Sequence, residues 1–305
     1  MSDFEVVVVG GGLGGLTAGL FSARCGHSTL VLESTVPGGH LVNIEKIEDF
    51  PGFPEGIAGF DLGPLVQEQA ASYGAEFAMA EVQRLEARGD AWLVTTSGGR
   101  HNARAVIVAA GSRPRALGVP GEERLVGHGV SHCASCDGPL LRGQPVAVVG
   151  GGDSALLEAL TLADHDAEVI LFHRSALGAQ ETYQRRVRDS TRISLRPNTA
   201  VAEILGEETV SGVRVRDLAT GVEAEVAVAG VFVYVGLEPN TDFLKGVLEL
   251  DEFGRVPTDV WMRTARAGVF AAGDIRRDSA AQAISAAGDG ATAAIAAHRY
   301  LQERS

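Results

Sequence analysis

Cys133 and Cys136 stand two residues apart in the run Cys-Ala-Ser-Cys-Asp-Gly that ends at Gly138. That spacing can bring two Cα atoms within disulfide range, so the pair can close a small ring and reopen it as a two-electron store. Thiols in Cys-x-x-Cys pairs also ionise more readily than an isolated thiol, and the thiolate is the nucleophile. Zinc is the competing use. His128, His132, Cys133 and Cys136 supply four candidate ligands. His132 and Cys133 are adjacent, however, and the run lacks two separated ligand pairs, so no metal is expected. The third cysteine, Cys25, lies in an apolar helical pattern and reads as core.

Two glycine-rich turns flank the pair. The first follows the β-branched run Phe4 to Val9 and places Gly10, Gly12 and Gly15 as G-x-G-x-x-G. Ala- and Leu-rich helical spacing continues to about Cys25, and a second apolar strand, Thr29 to Leu32, ends at Glu33. Glycines at these positions permit a tight turn and close approach of backbone to a pyrophosphate at a helix N-terminus. Glu33, eighteen residues past Gly15, stands where an acid can hold a ribose hydroxyl. The second turn follows the strand Pro145 to Val149. Gly150, Gly152, Asp153, Ser154 and Ala155 open a helix to about Ala163, and Glu168 to Phe172 is the next strand. This second strand ends in His173-Arg174 rather than an acid, and an Arg there can accommodate a 2′-phosphate. Arg174 is also readable as a solvated surface side chain. One unit binds one dinucleotide, so two units predict two. A dithiol set between two such units suggests electrons passing from one cofactor to another and on to a disulfide.

The rest of the chain fits this frame. Pro37 to Pro54 reads as a long loop of the kind that carries function. Phe60 to Ala75 reads as helix, Ala80 to Val94 as strands with turns, and Ala105 to Ala109 as a buried strand. Arg113 to Gly121 reads as a domain crossing. Val201 to Val235 reads as a small antiparallel set ending in the run Val231–Val235, and Glu238 to Thr241 as the second crossing. Val269 to Asp274 is a strand whose terminal Asp could approach a cofactor, and Gln282 to Leu301 an Ala-rich helix.

At 305 residues and 45% hydrophobic content, about two domains with packed cores are expected. A formal charge of −13 speaks against binding to nucleic acid. Three cysteines with one close pair fit a reducing compartment. Val6–Val9 is too short for a secretory h-region, and the longest uncharged apolar stretch, Val226 to Leu237, falls short of the roughly 20 residues that span a bilayer. A cytoplasmic protein that does not enter a membrane is expected.

In this order the motifs resemble the low-molecular-weight thioredoxin reductases, a family of flavoprotein pyridine-nucleotide disulfide oxidoreductases. The resemblance covers nearly the whole chain. It rests on Gly10–Gly15, Gly38-Gly39 with Pro51–Pro54, Cys133–Gly138, Gly150–Ala155, Gly236 with Pro239-Asn240, and Gly273-Asp274 with Gln282-Ala283. It implies an α/β fold of two Rossmann-like three-layer nucleotide-binding domains. A discontinuous FAD domain would comprise residues 1–115 and 243–305, and an NAD(P) domain carrying the dithiol would comprise residues 116–242. FAD would contact Gly10, Gly12, Gly15, Glu33, Gly39, His40, Asp49, Gly273, Asp274, Gln282 and Ala283. NADPH would contact Gly150, Gly152, Asp153, Ser154, His173 and Arg174. The implied reaction passes a hydride from NADPH to FAD, then electrons to the Cys133–Cys136 disulfide, then to thioredoxin. Cys136 resembles the thiol facing the flavin, Cys133 the interchange thiol and Asp137 the acid that manages its proton. Asp137 is also readable as a turn or cap residue ahead of Gly138-Pro139. A homodimer is implied.

The departures gather on the nicotinamide side. The family commonly shows His-Arg-Arg with a further Arg, where this chain has His173-Arg174-Ser175 and Ala179. Ala281 takes the place of an Arg before Gln282. Each missing charge-assisted contact removes on the order of 1.5–3 kcal/mol. His40 and Asp49 stand where the family usually has Gln and Asn, which could alter the flavin's hydrogen bonding and potential. NADH or a ferredoxin-like protein is therefore the alternative donor, oxidation of dithiols with transfer to oxygen the alternative direction, and a non-enzymatic redox sensor the reading from another class.

Overall fold

A computed structural model describes residues 2–304. In chain order, β1 (Ser2–Val9), α1 (Leu13–Arg24) and β2 (Thr29–Glu33) precede α2 (Gly59–Ser72) and β3 (Glu76–Met79). Then come β4 (Val82–Arg88), β5 (Ala91–Thr96), β6 (Gly99–Val108) and β7 (Ser112–Pro114). A second group follows: α3 (Glu122–Leu125), β8 (Val130–Ser131), α4 (Ala134–Asp137), β9 (Pro145–Val149), α5 (Asp153–Asp164) and β10 (Glu168–His173). It continues with α6 (Glu181–Asp189), β11 (Ile193–Pro197), β12 (Thr199–Leu205), β13 (Gly212–Asp217), β14 (Glu223–Val226) and β15 (Gly230–Val233). The chain ends with β16 (Leu237–Pro239), β17 (Val269–Ala271) and α7 (Ala283–Gln302). These elements form two compact units, residues 1–113 with 238–305, and residues 114–237.

The first unit is built on a seven-stranded sheet in the order β3-β2-β1-β6-β5-β4, with β17 also on β6. β6 pairs parallel with β1 along one edge and shares its other edge between two partners. Its first half pairs antiparallel with β5, as in Trp92 opposite Ala103, and its second half pairs parallel with β17, as in Val269 opposite Val106. β1 is buried from Val6 to Val9 without alternation because α-helices or other chain cover both faces of a central parallel strand. The two ends of this unit are tied together locally. Asn240 N–H donates to the Gly111 carbonyl, and Arg113 pairs with Glu238 and Asp242.

The second unit has a five-stranded sheet, β11-β10-β9-β15-β8, with every neighbouring pair parallel, and a separate antiparallel sheet β12-β13-β14. The run Val231–Val235 does not close the antiparallel set as its position predicted. Its strand β15 lies between β9 and β8, and all four residues Gly230–Val233 are buried. An unbroken apolar run is what a strand covered on both faces requires. Among the elements the sequence did not announce are α6 and β11. α6 buries only Tyr183 and Val187 of its nine residues, too narrow a stripe to stand out among its arginines. The loop expected over Pro37–Pro54 contains one short 3-10 turn, Gly39–Asn43. Among the described residues no helix is long and apolar enough to cross a membrane.

Candidate active site

In the second unit, Cys133 and Cys136 are joined by a disulfide with Cα atoms 5.3 Å apart. Cys133 is the N-cap of the single-turn helix α4, and its sulfur accepts the Cys136 N–H at 3.2 Å. The loop before it is pinned by polar contacts. Cys133 N–H donates to Ser131 Oγ at 3.0 Å, and His132 Nδ1 lies 2.9 Å from the Val233 carbonyl, which makes that nitrogen the donor. Behind the helix, Ala134 N–H donates to Glu158 Oε2 of α5 at 3.2 Å. Glu158 is 7% exposed. Gly138 lets α4 and α5 approach, since a Cβ there would lie 3.1 Å from the Leu162 side chain and 3.4 Å from His165. Cys136 is exposed, whereas Cys133 and Asp137, at the end of the turn, are half-buried.

The second glycine turn belongs to this unit too. A Cβ on Gly150 would lie 2.2 Å from the Tyr234 carbonyl, so only glycine fits where the turn crosses the end of the sheet. A Cβ on Gly152 would meet nothing within 4 Å, so that backbone faces open space and Ser154 beside it is exposed. The loop after β10 folds back over the turn. Gly178 N–H donates to the Gly151 carbonyl, and Asp153 accepts from the Gln180 N–H at 2.7 Å and from its side-chain amide at 3.1 Å. His173 Nδ1 donates to the Ser175 carbonyl at 2.7 Å, Arg174 is exposed and Ala179 is buried.

In the first unit the opening turn is equally tight. A Cβ on Gly10 would meet the Ala109 carbonyl at 2.3 Å, and one on Gly15 the Gly10 carbonyl at 1.8 Å, while Gly12 faces open space. Gly11 N–H donates to Glu33 Oε2 at 2.7 Å, and the other carboxylate oxygen accepts from Thr35 N–H at 2.8 Å. Glu33 thus stands against the turn, at the wall of a cavity of about 250 Å³ that Gly11, Pro37, Gln67, Phe77 and Met79 also line. The loop expected to be functional comes up beside it. Gly38 N–H donates to the Gly11 carbonyl, and a Cβ on Gly39 would sit 3.2 Å from Gly12 Cα.

His40 and Asp274 share this surface. His40 Nε2 donates to the Ser112 carbonyl. Asp274 is half-buried after β17 and accepts from the Ser279 hydroxyl at 3.4 Å. Burial pushes its carboxyl above the ordinary Asp range, and the Ser279 hydrogen bond and then the nearby His40 oppose that rise. The backbone before it is held by Asp289 of α7, which accepts the Gly273 N–H at 3.1 Å and pairs with half-buried Arg276 at 2.8 Å. Gln282 caps α7 in reciprocal bonds with Ser285, and Ala283 is the first residue of that helix. Of the expected flavin contacts, His40 and Asp49 are solvent-exposed.

Sequence reasoning missed Glu158, Tyr234, Ser131, Thr35 and Asp289. Glu158 had a legible signal, a single acid within the buried apolar face of Ala155, Leu156, Ala159 and Leu162. The others act through backbone atoms or through partners far along the chain, which leave no local pattern. Among the described residues no group of three or more His, Cys, Asp or Glu side chains is placed to hold a metal ion.

Comparison with known proteins agrees with this geometry. Residues 4–290 match the pyridine nucleotide-disulphide oxidoreductase family. The chain is 39% identical over 301 residues to the thioredoxin reductase of Treponema pallidum, covering 98% of each protein. It is 42% identical to that of Mycolicibacterium smegmatis, over 98% of this chain and 97% of the relative. The crystal structure of Lactococcus lactis thioredoxin reductase superposes with a TM-score of 0.96 at 38% identity, over 98% of this chain and 99% of that one. With both glycine turns and the closed disulfide in place, the chain belongs to the pyridine nucleotide-disulphide oxidoreductases, in their low-molecular-weight thioredoxin reductase branch.

Proposed function

We propose that this chain is a flavoenzyme that carries two electrons from a pyridine nucleotide to the Cys133–Cys136 disulfide and on to the disulfide of a thioredoxin-like protein. The observation that carries the reading is the closed disulfide at the head of α4, in the same unit as an intact second glycine turn. The first unit fits FAD. Gly12 leaves backbone open to a pyrophosphate, Glu33 stands beside the cavity where a ribose would lie, and Gly39, His40, Asp274, Gln282 and Ala283 would flank the ring-bearing end. Bound there, the flavin supplies a two-electron relay between a hydride donor and a disulfide. The second unit fits a pyridine nucleotide at Gly150, Gly152, Asp153 and Ser154, with His173 and exposed Arg174 left to meet a 2′-phosphate.

In this reading the chain's own chemistry is thiol–disulfide exchange. Once the pair is reduced, the Cys133 thiolate attacks one sulfur of the partner disulfide, forming a mixed disulfide and releasing the other sulfur as a thiolate. Cys136 then displaces the partner and restores the Cys133–Cys136 bond. Asp137 holds or delivers the proton that the departing sulfur needs. The homodimer and cytoplasmic location expected from the resemblance belong to the same proposal, and gel filtration tests the former.

The test is an anaerobic titration of the purified yellow protein with NADPH and then NADH, followed at the flavin band, and afterwards turnover with thioredoxin. Bleaching by NADPH and steady turnover are expected, and Cys133→Ser or Cys136→Ser should abolish turnover. If neither nucleotide bleaches a flavin that dithionite does bleach, the donor is of another class, such as a ferredoxin-like protein. Unchanged turnover in either serine variant overturns the reading.

A further inference from the structure

The dithiol has a buried acid directly behind it. Glu158 comes from the middle of α5, is 7% exposed, and takes the N–H of Ala134, the residue next to Cys133. The hydroxyl of Tyr234, which follows β15, is buried and makes no hydrogen bond of normal geometry. It lies in the field of the same carboxylate. Burial, and then the Glu158 charge, push its ionisation far above the ordinary tyrosine range, and Asp137 adds to the effect. Other ionisable groups near this spot are His132, before Cys133, and His165, at the end of α5 against Gly138. A carboxylate in an apolar helix face is costly to bury and adds little to packing. Its position one residue from a sulfur that must ionise gives it electrostatic leverage on that sulfur.

We propose that Glu158 is a positioning residue that sets the ionisation of the reduced dithiol: its carboxylate resists a second negative charge at Cys133, so that thiol and carboxyl titrate as a coupled pair. This rests on reading Cys133 and Cys136 as the redox-active pair. Two like charges close together at a partly buried site cannot both form freely, and the thiol therefore ionises at a higher pH than it would beside a neutral group. The Cys136 N–H on the Cys133 sulfur works the other way and favours the thiolate. The balance keeps part of the reduced pair protonated, and so in its less reactive form, near neutral pH.

The test is the pH dependence of alkylation. Full-length protein is reduced with dithiothreitol and freed of it anaerobically. It is then treated with iodoacetamide from pH 5 to about 10, with Cys133, Cys136 and Cys25 resolved by peptide mass spectrometry. Glu158→Gln keeps an oxygen that can accept the Ala134 N–H and removes only the charge. Its Cys133 midpoint should fall by about 1 pH unit or more, which speeds alkylation roughly tenfold at a fixed pH below both midpoints. Tyr234→Phe, a milder change that leaves Glu158 in less polar surroundings, should move the midpoint the same way by less. A purely structural role would change the rate by one factor at every pH and leave the midpoint in place. That result in Glu158→Gln, or in Tyr234→Phe should the Gln variant not fold, overturns the proposal. Reduction by dithiothreitol keeps this result separate from the donor. A moved midpoint with no thioredoxin turnover would defeat the functional reading but leave the coupling standing.

Discussion

Asp274 sits half-buried in the turn after β17, and this burial raises its carboxyl above the ordinary aspartate value despite the Ser279 hydroxyl and the nearby His40. The unfolded chain releases this proton more readily than the folded one. The group's favourable contribution to stability is therefore complete below the ordinary value and is lost as pH rises through the raised one. Asp274→Asn removes the cost of a buried charge at neutral pH. Flavin-free Asp274→Asn protein should melt at or above wild type at pH 7, and the gap should close as pH falls to about 4. Its retention of flavin should fall if Asp274 is the cofactor contact proposed. A variant that melts well below wild type at pH 7 would contradict the first expectation. The identity of Asp274 as a strand-end acid was legible in the sequence. Its burial beside His40 was not, because the two lie more than 200 residues apart.

Helices α1 and α7 meet through glycines. A Cβ on Gly290 would fall 2.0 Å from the Gly14 carbonyl, and one on Gly14 would lie 3.1 Å from the Ala286 carbonyl, so the backbones are almost in contact. Gly288 is one residue pair earlier on α7 and faces open space. Gly290→Ala must push the helices apart and should cost about 1–3 kcal/mol. Gly288→Ala meets nothing and should gain up to about 1 kcal/mol from helix propensity alone. Urea unfolding of the two variants should therefore move in opposite directions, and parallel shifts would disprove the close crossing. The helix over 282–301 was readable from its Ala-rich spacing, as was the helix beginning at the first glycine turn. Their contact was not, since a glycine that permits a crossing looks in the sequence like one that weakens a helix.

At the scale of the molecule, each of the hydrophobic clusters among the described residues lies within a single unit. Val7, Val106, Ala271 and Leu244 share one in the first unit, while Leu156, Leu171 and Phe232 share one in the second. Cores of this kind can melt separately. Calorimetry of flavin-free protein should show two transitions, and added FAD should raise the one belonging to the first unit, by about 2.7 kcal/mol at a hundred times its dissociation constant. A single transition that FAD raises as a whole would show that the units unfold together.

The sequence by itself determined the two glycine turns, the strands and helices around them, the Cys133–Cys136 pair and the family resemblance. Those features are local: a tight turn, a close approach or a two-residue spacing imposes its residue types on neighbours in the chain. Only the tertiary structure decided that β15 joins a parallel sheet, that β17 completes β6, and that Glu158 stands behind the dithiol. These depend on which apolar surfaces bury one another, and burial pairs residues by space rather than by order along the backbone.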